Sequence, residues 1–73
     1  MDDLSQRILK QFSELSQNTL DLHALLEGAG NDPAERDRAV EAIERLTRIG
    51  FLEELGSDFY ALTEKGRGAI TTP

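Results

Sequence analysis

The sequence predicts a small, mostly helical α+β domain, and three observations carry that prediction. Apolar residues recur every three or four positions as far as Leu46, the period of a helical face. Two short runs, at 51–55 and 59–63, flank a glycine-containing turn, the pattern of a β-hairpin. The 73 residues include no cysteine, so the chain has room for one core and no disulfide framework. A single domain is expected over 1–73.

The first helix is expected at about 3–17. Leu4, Ile8, Leu9, Phe12 and Leu15 fall on one face, with Asp3 as cap and Gln6 three residues on. Thr19-Leu20 reads as extended. Asp21 then caps a short second helix at about 22–28, which buries Leu22, Leu25 and Leu26 and stops at Gly28. Gly28 to Pro33 reads as a loop, longer than the three or four residues of a tight helix–helix turn.

The third helix, at about 33–49, has the sharpest boundaries. Asp32 occupies the cap position, Pro33 the first helical position and Glu35 the third. Its apolar stripe is Ala39, Val40, Ile43 and Leu46. Gly50 closes it, and Phe51 is placed to fold back on Leu46 in a Schellman ending. Strands are expected at about 51–55 and 59–63. A three-residue loop, Gly56-Ser57-Asp58, would put Leu52 and Leu62 on the same face. Thr63 caps a last short helix at about 64–70, and 71–73 reads as a frayed tail.

Composition narrows the function classes. Fourteen acids against eight bases give a net charge of -6 and a pI near 4.6, which opposes generic binding to nucleic acid or anionic membrane. A chain this short buries only roughly 60% of its unfolded surface, leaving little material for a catalytic cleft. The acidic start Met1-Asp2-Asp3 lacks the basic and apolar stretches of a secretory signal. No apolar run is long enough to span a membrane, and a cysteine-free chain suits the reducing cytoplasm, the expected location.

The catalytic and ligand motifs read as ordinary structure. His23 is the only histidine, and scattered carboxylates around it do not make metal-ligand spacing. Glu53 and Glu54 are strand neighbours and point to opposite faces, so they form no acid–base pair. Gly28-x-Gly30 lacks the third glycine and the preceding strand of a dinucleotide fingerprint. Ser57 has no histidine partner. The expectation is a non-enzymatic protein with no cofactor and no metal.

The order helix, extended piece, short helix, longer helix, hairpin, final helix resembles the winged helix-turn-helix family. The residues carrying the resemblance are Leu25 and Leu26, then Val40, Ile43 and Leu46, then Ile49-Gly50-Phe51-Leu52, and lastly Tyr60-Ala-Leu-Thr-Glu-Lys-Gly66. The chain is most similar to MarR-like and PadR-like bacterial and archaeal regulator domains. The resemblance implies a DNA-binding transcriptional regulator that contacts double-stranded DNA through the exposed face of its third helix. Arg36, Arg38, Arg45 and Arg48 are the residues placed for that contact.

The same face also carries Asp37, Glu41 and Glu44, and Glu41–Arg45 and Glu44–Arg48 have the spacing of intrahelical ion pairs. Residues 33–50 hold four acids and four bases, and no Lys or Arg falls between Arg48 and Lys65. This charge map supports an alternative: an acidic winged-helix protein-interaction module, adaptor or homodimer, using Glu53, Glu54, Phe59 and Tyr60. Phe59 and Tyr60 face opposite ways along a strand, so one is expected to be more exposed than the other.

Overall fold

The computed structural model describes residues 2–30 and 32–70; the expected frayed tail, 71–73, lies outside them. The elements run α1 (Asp3–Glu14), β1 (Thr19–Asp21), α2 (Leu22–Ala29), α3 (Pro33–Arg48), β2 (Leu52–Gly56), β3 (Phe59–Leu62) and α4 (Glu64–Ala69). The result is a mostly helical α+β domain with a three-stranded antiparallel sheet in the order β1-β3-β2. Ile8, Leu9 and Phe12 of α1, Leu20, Leu25 and Ala29, the α3 residues Ala39, Ala42, Ile43 and Leu46, and Leu52 form one core.

The cap of α1 is Asp2, one residue earlier than expected; its carboxylate accepts from the Ser5 N–H at 3.0 Å. The helix also ends three residues early, at Glu14 rather than 17. Gln17 N–H reaches Phe12 O at 2.9 Å and Ser16 N–H reaches Ser13 O at 3.1 Å, the two bonds of a Schellman motif. Ser16 there has φ 53, a conformation that favours glycine.

The extended piece at Thr19-Leu20 is a third strand, pairing Leu20 with Tyr60, so the expected two-stranded hairpin is two-thirds of a larger sheet. Asp21 caps α2 through the Ala24 N–H at 2.8 Å. Gly28 does not stop α2 but lies within it. The Gln11 side chain fills the space a Cβ would need at Gly28, and its amide donates to Leu25 O at 3.1 Å. The α2–α3 connection is therefore residues 30–32, three residues and not the longer loop from Gly28 to Pro33.

Asp32 caps α3 through Ala34 N–H at 3.0 Å, with Pro33 at the first position. Ala42 is buried in the stripe where Val40 was expected; Val40 is half-buried at its margin. The helix ends as the sequence suggests, Phe51 N–H reaching Leu46 O at 2.9 Å and Gly50 N–H reaching Thr47 O at 3.2 Å. Leu52 pairs with Leu62, the expected register. The loop differs, because Ser57 and Asp58 both have positive φ, at 52 and 64, the geometry of a two-residue mirror-type turn. Gly56, expected in a three-residue loop, pairs with Phe59 instead, and Leu55 is left as a bulge between Glu54 and Gly56.

Thr63 joins α3, the sheet and α4. Its hydroxyl donates toward Gly50 O at 2.6 Å and Phe51 O at 3.1 Å, and accepts from Gly66 N–H at 3.0 Å. Lys65 Nζ donates to Ile49 O at 2.8 Å and stands 5.6 Å from the centroid of the Phe51 ring. A Cβ on Gly66 would collide with the Phe51 carbonyl, whereas Gly68 in the same helix meets nothing within 4 Å.

Three substitutions separate these constraints. Gly66→Ala is expected to lower stability by about 2–3 kcal/mol through backbone overpacking, and Gly68→Ala to raise it by up to about 1 kcal/mol. Ser16→Gly should raise it by about 0.5–1 kcal/mol by relieving the left-handed residue. Urea unfolding of the three variants, with unchanged m-values, checks all of them.

Candidate interaction surface

A helix advances about 100° per residue, and the buried stripe of α3 fixes which residues face away from the core. Asp37, Glu41, Glu44 and Arg48 lie opposite that stripe and are all exposed. The outward side of α3 is thus three acids and one base.

The other arginines of α3 sit on its flanks. Arg38 and Arg45 turn toward α1 and line a cleft with Asp2, Arg7, Glu35 and Glu41. Arg45 lies 3.5 Å from Asp2 Oδ2 and 3.5 Å from Ser5 Oγ. Arg36 turns the other way, toward the hairpin tip, beside Asp58 and Phe59. The four arginines singled out in the sequence do not share one face.

The expected intrahelical pairs do not close either. Among the described residues Arg45–Asp2 at 3.5 Å is the ion pair, and His23 Nε2 lies 2.9 Å from a Glu27 carboxylate oxygen. Arg45 bonds α1 to α3 instead of pairing with Glu41. Other cations are used internally: Arg7 donates to Ala29 O at 3.3 Å, and Arg67 to Asn18 Oδ1 at 2.9 Å. Arg36, Arg38 and Arg48 form no such contact among the described residues.

The hairpin completes the surface. Glu53 pairs with Ala61 and shares the outer sheet face with Phe59, while Glu54 pairs with Tyr60 on the other face. Phe59 is 44% exposed and Tyr60 is half-buried, as their opposite orientations require. Leu55, in the bulged segment, is 51% exposed. Burial raises the Tyr60 hydroxyl above its ordinary pKa, followed by the charges of Glu54, Asp58 and Glu44. Carboxylates from α3, from β2 and from the hairpin turn therefore act on one phenol.

No spacing in the sequence points to Leu22, Leu26 or Asp58 as surface partners of Phe59. Leu22 and Leu26 come from α2 and meet Asp58 and Phe59 at the hairpin tip only in the folded chain. Among the described residues no group of three His, Asp or Glu side chains is placed to hold a metal, and no helix is long and apolar enough to cross a membrane. No protein-family model matches the chain, and neither a curated protein nor a solved structure matches it.

Two titrations report on this geometry. Tyr60 is the only tyrosine, so phenolate absorbance reads it directly. Its midpoint should lie above 10.0 and fall in Glu44→Gln and Glu54→Gln. Asp2 is held below the usual carboxylate value by the Ser5 hydroxyl and N–H, then by Arg45. A carboxyl depressed on folding stabilises at pH above its unfolded value, and that contribution is lost as pH falls through the folded value. Asp2→Asn keeps a capping side chain but should flatten this acid limb of the stability curve, measured by urea unfolding below pH 4.

Proposed function

We propose that the chain is a non-enzymatic winged helix-turn-helix domain that docks a basic protein partner on the acidic face of α3 and the hairpin. The winged-helix assignment is supported by the element order, the strand order β1-β3-β2 and the three-residue α2–α3 connection containing Gly30. A fold of this kind hosts many roles, so the function is argued from the surface.

The observation that carries it is the charge of that surface. Asp37, Glu41 and Glu44 point outward from α3 with Arg48 alone among them, and the hairpin adds Glu54 and Asp58, with Glu53 on the opposite sheet face beside Phe59 and no Lys or Arg on either. A DNA-docking face gains its affinity by neutralising phosphates, and this face repels them. A Lys- or Arg-rich protein segment meets complementary charge there, with the exposed Phe59 and Leu55 available for apolar contact.

A specific observation favours a second reading, the DNA-binding transcriptional regulator. Arg36, Arg38 and Arg48 are exposed and form no ion pair among the described residues, and the α2–α3 turn is as short as the turn of the DNA-binding motif. Contact through these three cations alone would give a log–log salt slope of about -3.

Amide chemical shifts separate the two. At low salt, an arginine-rich peptide is expected to shift resonances in 37–48 and 53–60, and Glu53→Lys with Glu54→Lys should abolish the effect. A mixed-sequence duplex should leave the spectrum unchanged. A duplex that shifts 36–48 with that salt slope, alongside an inert peptide, would replace the first reading with the second.

A further inference from the structure

A cavity of about 350 Å³ lies at the end of the sheet away from the hairpin turn, where the last turn of α1, the entry to β1, the end of β3 and α4 meet. Its apolar lining is Phe12, which is buried, with Leu62 and Ile70, which are half-buried. The remaining walls are hydroxyls and amides, including Ser16 and Asn18, and a single charged side chain, Arg67. No carboxylate lines this cavity. The clefts at the hairpin tip and between α1 and α3 both hold acids.

Arg67 is held in place without being neutralised. Its Nη2 donates to Asn18 Oδ1 at 2.9 Å, and Asn18 O accepts from the Leu62 N–H at 2.9 Å. The guanidinium is thus oriented by a neutral residue that is itself tied to the sheet. It forms no ion pair among the described residues, and a guanidinium carries five N–H donors, so most of its donors are not engaged by Asn18. The opposite wall has the other polarity. There the last turn of α1 ends, and the carbonyls of a helix C-terminus carry partial negative charge.

We propose that this cavity captures the C-terminal residue of a partner protein. The carboxylate sits on Arg67, the backbone N–H faces the end of α1, and an apolar side chain packs on Phe12, Leu62 and Ile70. A purely anionic ligand gains from Arg67 and is opposed by the helix end. A carboxylate next to an amide N–H, carried on an apolar residue, suits all three walls, and terminal carboxylates are a recurring recognition element. The volume agrees, because pockets for whole drug-sized ligands run from about 300 to 1,000 Å³ and this one is near the lower end. The site shares no residue with 37–48 or 53–60, so it is independent of the acidic face.

Amide spectra titrated with an N-acetylated alanyl-alanyl-leucine tripeptide test it. The free acid is expected to give saturable shifts in 12–18, 62 and 67–70. Its C-terminal amide should bind at least about tenfold more weakly, as should the free acid ending in glycine. Isovalerate, which has the carboxylate and the apolar body but no N–H, should also bind more weakly than the peptide. Arg67→Gln should remove the preference for acid over amide, with unchanged far-UV circular dichroism. No shifts up to millimolar peptide, equal binding of acid and amide, or a preserved acid preference in Arg67→Gln would overturn the proposal. Isovalerate binding as tightly as the peptide would overturn the peptide terminus as occupant. Failure of the acidic-face reading registers separately, as an arginine-rich peptide that leaves 37–48 and 53–60 unmoved.

Discussion

The hydroxyl of Thr63 is the point on which the arrangement of α3, sheet and α4 depends. It bonds the end of α3 through Gly50 and the entry of β2 through Phe51, and it caps α4 through Gly66. Phe51 O also accepts from the Thr63 N–H at 3.2 Å, and for Gly50 O and the Gly66 N–H the hydroxyl supplies a partner at a helix end, where an unmet polar group is costly. The close approach that lets one small side chain serve all three leaves no room for a Cβ at Gly66. The spacing of threonine, two residues and glycine follows from that geometry. Lys65, between them, extends the junction by bonding Ile49 O at the negative end of α3.

This junction fixes the relation between α3 and the hairpin, and through it the charge map. With α3 held at its C-terminal end, Glu44 comes near the hairpin carboxylates and Tyr60. At the other side, Arg45 bonds to α1 through Asp2 and Ser5. Cations are drawn toward internal carbonyls and α1, and acids are left facing outward. Those bases stay exposed, so the acidity of the surface follows from composition, and the contacts decide where along it the bases lie.

Much of the fold was legible because its boundaries rest on local chemistry. Asp21, Asp32 and Thr63 cap where their residue types and neighbours suggest, and Gly50-Phe51 closes α3 as expected. What was illegible depends on distant contacts. Gly28 looks like a helix stop until Gln11 is seen packed against it. Thr19–Asp21 becomes a strand only because β3 lies alongside it. The cap of α1 was read one residue late because Asp2 and Asp3 are chemically equivalent, and the bond to Ser5 decides between them. For the surface, residue types were legible but their directions were not. Arg36 shares a helix with Arg38 and Arg45 and still lies in a different cleft from theirs, because the buried stripe is set by Ala39, Ala42, Ile43 and Leu46.

The bulge between Glu54 and Gly56 has a further consequence. In the order β1-β3-β2 both outer strands leave backbone donors and acceptors without a neighbouring strand, a template for open-ended stacking of chains into fibres. β1 offers only three residues. β2 is longer, but its ladder is interrupted at the bulge and bears adjacent glutamates. An incoming strand finds its register broken and its carboxylates opposed. The sheet is therefore guarded against growth at its margins by strand length on one side and by broken register and charge on the other.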